Sequence, residues 1–136
     1  MSFEYNRNIR DAAKTATLAL PAAAANASGA AIDLEQVNGG ILENVDFEIA
    51  IPALPDLVDA KTLIVTVQDS ANGTTWANLD PSQTTSVVGA SSAGSAAKTV
   101  RFRVPPQARR YIGVNLAVLT GGGDNTAKSV TLSALF

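Results

Sequence analysis

Five stretches of this chain alternate apolar and polar residues with a period of two, and the intervals between them are short and carry no sustained helical period. In Val45 to Ile51 the apolar set is Val45, Phe47, Ile49 and Ile51, with Asp46 and Glu48 between them. Leu63, Val65 and Val67 alternate with Ile64, Thr66 and Gln68, and Val100, Phe102 and Val104 alternate with Arg101 and Arg103. Ile112 to Val118 and Val130 to Phe136 repeat the pattern. A side chain on every second residue faces the same side of a strand, so each stretch can bury one face. Weaker strands are expected at residues 16–20, 30–34, 75–79 and 85–88, for a total of eight or nine.

Turn clusters separate these segments at residues 38–40, 69–73, 90–97 and 121–125. Pro52 and Pro55 end one strand, and Pro105 with Pro106 ends another, because proline cannot donate to a ladder. The one candidate helix, Pro21 to Asn26, is too short for alanine propensity alone to hold. The expected fold is all-β: an antiparallel sandwich of jelly-roll or similar Greek-key topology. It occupies residues 15–136 as a single domain, preceded by an extended N-terminal arm at residues 1–14.

A chain of 136 residues suits one domain and buries roughly two-thirds of its unfolded surface. The sequence contains no cysteine and no histidine. Disulfides, thiolate–metal sites and histidine-based triads are thereby excluded. Only carboxylate or lysine chemistry remains open, and the expectation is a protein that is not an enzyme and needs no cofactor or metal. The start of the chain is polar and acid-bearing, unlike a signal peptide, and no apolar run approaches the roughly 18 residues of a membrane span. Synthesis and folding in the cytoplasm are expected.

The net charge of −2 gives no general attraction to nucleic acid or to an anionic membrane, and neither is expected as a partner. The distribution is more informative. Residues 33–59 carry seven acids and no base, whereas residues 81–123 carry no acid and include Lys98, Arg101, Arg103, Arg109 and Arg110. Arg101 and Arg103 share one face of their strand, as Asp46 and Glu48 do on theirs. Two readings stay open. The groups pair within the fold as a cross-strand ladder, or they meet carboxylates of another subunit or partner and set register and encounter rate.

Two loops invite a chemical reading. Asp69-Ser70-Ala71-Asn72-Gly73 resembles the opening of a calcium loop but puts Ala71 at a ligand position, and a hairpin turn using positive backbone angles at Asn72-Gly73 accounts for it. Gly121-Gly122-Gly123 lacks the lysine and the strand-to-helix context of a phosphate loop and reads as a mobile hairpin tip. Trp76, the only tryptophan, is expected to pack over a hairpin; with Tyr111 it is also the candidate stacking platform of a glycan-binding module.

Taken together, three stretches resemble the cement, or decoration, proteins of tailed-phage capsids. They are Tyr5-Asn6-Arg7-Asn8-Ile9-Arg10-Asp11, the strand from Leu63 to Ser70 running into Asn72-Gly73 and Trp76, and Val100-Arg101-Phe102-Arg103-Val104-Pro105-Pro106 followed by Arg109-Arg110-Tyr111. The resemblance implies a jelly-roll domain, a homo-oligomer (dimer or trimer) that staples neighbouring major capsid subunits on the outer surface of the virion. In that reading Phe3, Tyr5 and Ile9 are apolar anchors, and Arg7, Arg10, Arg101, Arg103, Arg109 and Arg110 pair with carboxylates of the partner. A glycan-binding or adhesive virion module is the alternative.

Overall fold

A computed structural model describes residues 10–33, 46–79, 82–104 and 108–135; at residues 10–14 and 135 only the backbone is described. The nine strands are β1 (Arg10–Ala19), β2 (Asn26–Asp33), β3 (Asp46–Ile51), β4 (Thr62–Ser70), β5 (Ala77–Asn78), β6 (Thr84–Val88), β7 (Lys98–Arg103), β8 (Tyr111–Val118) and β9 (Ser129–Leu135). The five alternating stretches became β3, β4, β7, β8 and β9, and the weaker segments became the other four.

One sheet has the order β1-β9-β3-β7, and the other β2-β8-β4, with β5 and β6 both along the far side of β4. All strand pairs are antiparallel. Setting aside the two-residue β5, the orders 1-9-3-7 and 2-8-4-6 are those of a jelly roll, two Greek keys folded into a sandwich. The alternation explains the layering. Phe47, Ile49 and Ile51 of the first sheet meet Leu63, Val65, Val67, Ile112, Val114 and Leu116 of the second in one buried core. Phe47 stacks on Phe102 across the β3–β7 pair, with centroids 5.6 Å apart and planes at 17°. Such a pair adds about 0.5–1.5 kcal/mol beyond the area it buries.

Local patterning was weakest where the strands are irregular. β1 starts at Arg10 and β2 at Asn26, each several residues before the alternation does, because the ladders of β9 and β8 extend that far. Register shifts between Arg10 and Thr15 and between Gly29 and Ile32 break the period of two in both strands. Phe3, Tyr5, Arg7 and Ile9 lie outside the described residues.

Residues 21–26 form no helix. Ala25 N–H donates to Ala22 O (3.1 Å) and Ala24, at φ +65°, donates to Val118 O (2.9 Å), making a turn that carries the chain from one sheet to the other. Six residues cannot repay the cost of nucleating a helix, and a tertiary acceptor was within reach.

The Gly121–Gly123 segment is an anchored loop, in contrast to the mobile tip expected. Gly122 O accepts from Val58 N–H (3.2 Å), and Gly122 N–H donates to Leu119 O (2.9 Å). At Gly123 φ is +85° and an added Cβ would stand 2.4 Å from Asp56 O, so both the angle and the close approach demand glycine. We expect Gly123→Ala to destabilise the domain by about 2 kcal/mol or more, from the left-handed penalty plus the clash. Urea unfolding measures this, and a loss below about 0.5 kcal/mol would show that the loop yields freely.

Candidate partner surface

The β3–β7 register places Asp46 opposite Arg103 and Glu48 opposite Arg101, with Phe47 opposite Phe102 on the other face. The acidic and basic stretches, far apart in sequence, therefore lie side by side. Arg103 Nε is 3.3 Å from Asp46 Oδ1, and Arg101 Nε is 3.5 Å from Glu48 Oε2. Although Glu48 is on the outward side of the sheet, its side chain is only 4% exposed, while Arg101 above it is 51% exposed. Neighbouring Ser133, paired with Glu48 from β9, is also buried.

Arg109 and Arg110 are paired within the chain as well. The Asp69 carboxylate accepts from Arg109 Nη2 (2.9 Å) at Oδ1 and from the Arg109 backbone N–H (3.0 Å) at Oδ2. Arg109 Nη2 also donates to Asp69 O (3.0 Å). The hydrogen bond and charge of Asp69 raise the Arg109 guanidinium further above its already high ordinary range. Arg110 grips Asp33 with two bonds, Nε to Oδ1 (2.9 Å) and Nη2 to Oδ2 (2.8 Å), and its guanidinium lies 5.3 Å from the centroid of the Tyr111 ring. These acids are 40 and 77 residues away in the chain, and no spacing rule points to them. Of the two readings of the charged groups, pairing within the fold is the one the structure displays. The four guanidinium groups keep substantial exposure and have five donors each, more than one carboxylate accepts.

With Asp69 taken up by Arg109, the Asp69–Gly73 segment folds on itself. Ser70 Oγ accepts from Gly73 N–H (2.9 Å), and Asn72 Oδ1 accepts from Thr74 and Thr75 N–H (both 2.9 Å). It is the connection of a hairpin, β4 to β5, as expected, but a long one in which Gly73 alone supplies a positive φ. No group of three or more potential metal-ligating residues occurs among the described residues.

The outer face of the second sheet differs in kind. Over most of its length the outward rows on β6, β4, β8 and β2 run through Val88, Thr62, Ile64, Thr66, Asn115 and Ser28 without an ionisable side chain, and the Asp33–Arg110 pair with Tyr111 lies at one end. Val88 and Leu119 leave an apolar corner exposed. Further along, Asn115 Nδ2 donates to Ser28 Oγ (2.8 Å), Ser28 Oγ to Gln68 Oε1 (3.0 Å) and Gln68 Nε2 to Asn78 Oδ1 (3.0 Å). Trp76 is half-buried beside this ladder, over Gly113, where a Cβ would come within 2.8 Å of its six-membered ring. Tyr111, two residues from Gly113 in the same outward row of β8, packs against Gly73 and under Arg110. A sequence scan for charge and motif had no signal for this neutral face.

These two kinds of ion pair have different worth. The Asp69 carboxylate, 11% exposed, accepts two hydrogen bonds from Arg109, one of them from its guanidinium, so Asp69→Asn should cost about 1–3 kcal/mol. Arg103→Ala, removing a 60% exposed partner, should cost no more than about 1 kcal/mol. Urea denaturation of both variants checks the contrast, and equal losses would contradict it.

The phage PBSX exported protein XepA, of known structure, aligns over 88% of this chain with a TM-score of 0.47 and 14% identity. The alignment covers 34% of XepA, so this chain spans about a third of its length. No curated protein matches the chain. The Bbp16 family model matches residues 14–133, from within β1 to within β9, and the chain therefore belongs to the Bbp16 family, which is phage-associated.

Proposed function

We propose that this protein is a non-catalytic cement protein of the phage capsid, binding the outer surface of the shell as a homo-oligomer and stapling neighbouring major capsid subunits. The observation that carries the reading is membership of a phage-associated family along nearly the whole jelly-roll sandwich. The physical logic is multivalency. Contacts too weak to hold one domain hold an oligomer that engages several subunits of a repeating lattice at once.

The surface offers two kinds of contact for this task. Arg101 and Arg103 form a cationic rim on β7 that can add a partner carboxylate to the one each already has. The neutral part of the outer face of the second sheet, around Val88 at 55% and Leu119 at 45% exposure and away from the Asp33–Arg110 pair, can lie against a partner without desolvating that pair. The N-terminal segment with Phe3, Tyr5, Arg7 and Ile9 supplies a tether in the same reading.

Removing residues 1–9 leaves the described strand β1 (Arg10–Ala19) in place. Full-length protein added to purified capsids lacking it should reach saturating occupancy. The variant without residues 1–9 should melt within a few degrees of the parent and bind at least about tenfold more weakly. Equal occupancy of the two overturns the tether, and failure of the full-length protein to bind overturns the cement reading.

A second reading, a glycan-binding virion module, is favoured by one arrangement: Trp76 over Gly113 beside the hydroxyl and amide ladder of Ser28, Asn115, Gln68 and Asn78. A flat aromatic next to fixed neutral donors and acceptors suits a sugar ring. Titration of tryptophan fluorescence with a panel of neutral oligosaccharides tests it. Saturable quenching lost in Gln68→Ala supports the reading, and a silent panel ends it.

A further inference from the structure

Among the described residues the sandwich is open along one side, where β6 of one sheet and β7 of the other run next to each other as edge strands without a backbone ladder between them. A cleft of about 240 Å³ enters the core there. Ile49, Val65 and Val67 form its floor, Phe102 stands in its wall, and Gln83 and Arg101 are on its rim. An engineered apolar cavity of about 150 Å³ holds benzene, so this one has room for an aromatic or a branched aliphatic side chain.

Two side-chain clips mark the ends of the cleft. Gln83 Nε2 donates to Arg103 O (3.2 Å), and Lys98 Nζ donates to Ser86 O (3.1 Å). The first shows which way the edge faces. Arg103 O points away from β3, and in a regular antiparallel strand the N–H and C=O groups of Arg101 and Thr99 share that direction. Thr99, Arg101 and Arg103 are exposed. The β7 edge thus presents a row of main-chain groups beside a pocket with an apolar floor and a polar rim, the two components of strand addition: the backbone provides affinity and the pocket selects a side chain.

We propose that β7 accepts an extended segment of a partner protein in which acidic residues alternate with bulky apolar ones. The charges choose this occupant. A strand laid along β7 continues each row by one position, so its outward residues fall opposite Arg101 and Arg103, on the far side from Glu48 and Asp46. A carboxylate at those positions puts each guanidinium between two acids, and a cation there is repelled. Two copies of β7 placed edge to edge would set Arg101 and Arg103 of one against those of the other, which disfavours that pairing. The inward residues of the same segment come alongside Val100 and Phe102, one of them filling the cleft. The Gln83 clip yields to the new strand because an N–H of that strand replaces it at Arg103 O. The proposal does not rest on the capsid reading, since any partner of this pattern qualifies.

The test is a titration of ¹⁵N-labelled full-length protein with a capped heptapeptide, Ser-Glu-Phe-Glu-Val-Glu-Ser, followed by heteronuclear NMR. Shifts are expected in residues 84–88 and 98–103 and in the side-chain amide of Gln83. A peptide with lysine in place of glutamate should bind at least about tenfold more weakly. Thr99→Pro, which removes an edge donor, and Val100→Phe, which fills the cleft, should each reduce binding by a similar factor while shell binding is assayed separately. Either variant suffices if the other fails to fold. No shifts at millimolar peptide, or equal binding of the lysine peptide, overturns the proposal. So does concentration-dependent shifting of the same residues in the free protein that disappears on deleting residues 1–9, which would give the edge to a second copy.

Discussion

The pairing of β3 with β7 is the constraint on which the rest of the first sheet depends. In the observed register Phe47 stacks on Phe102 inside while Asp46 and Glu48 meet Arg103 and Arg101 outside. A slip by one residue would turn both faces over, burying arginine and exposing phenylalanine. The outer ion pairs contribute little as pairs, since Arg101 and Arg103 are more than half exposed. Their larger effect is on the alternatives, because an arginine forced into the core has nothing to compensate its desolvation. Through β9, which pairs with β3 on its other side, the same register extends to β1 and defines the whole sheet.

This pairing also decides what the charge pattern of the sequence means. Acids in residues 33–59 and bases in residues 98–110 make the chain look two-sided, yet folding brings Asp33, Asp46 and Glu48 onto Arg110, Arg103 and Arg101. The asymmetry that survives is between sheets. One outer face carries a charged ladder, and the other carries threonine, serine, asparagine and small apolar residues along most of its length, with the Asp33–Arg110 pair confined to one end. A neutral face costs less to desolvate against a large partner, and a charged edge orients the approach, so the two surfaces suit different steps of association.

Strands were legible wherever a buried face alternates with a solvated one, as in Val100 to Val104 or Ile112 to Val118. The alternation could not say which strand lies beside which, and so it left the destination of every arginine open. Asp69 illustrates why: its partner Arg109 is set by the β4–β8 pairing that brings Ser70 level with Tyr111, a contact with no local signature. β1 and β2 were legible only in part, since their bulges destroy the period that reveals a strand. The glycine loop was misread for a related reason. Gly121 to Gly123 looks permissive in isolation, and only the closeness of Asp56 O shows that it is packed tightly.

A jelly roll leaves two open sides, and here they are finished differently. On the side of β1 and β2 the strands bulge, Ala30 takes a positive φ and Leu18 packs to within 3.3 Å of where a Cβ on Gly29 would be, so the corner is closed by side chains. On the side of β6 and β7, among the described residues, Gln83 and Lys98 span the gap by side-chain hydrogen bonds, and Val100 and Phe102 remain half-buried. An unprotected strand edge invites pairing with its like, and cations along it are a common guard. The guard is not neutral toward partners, however. Arg101 and Arg103, which repel a second β7, attract an acidic strand, so the protection of this edge and its selectivity come from the same residues.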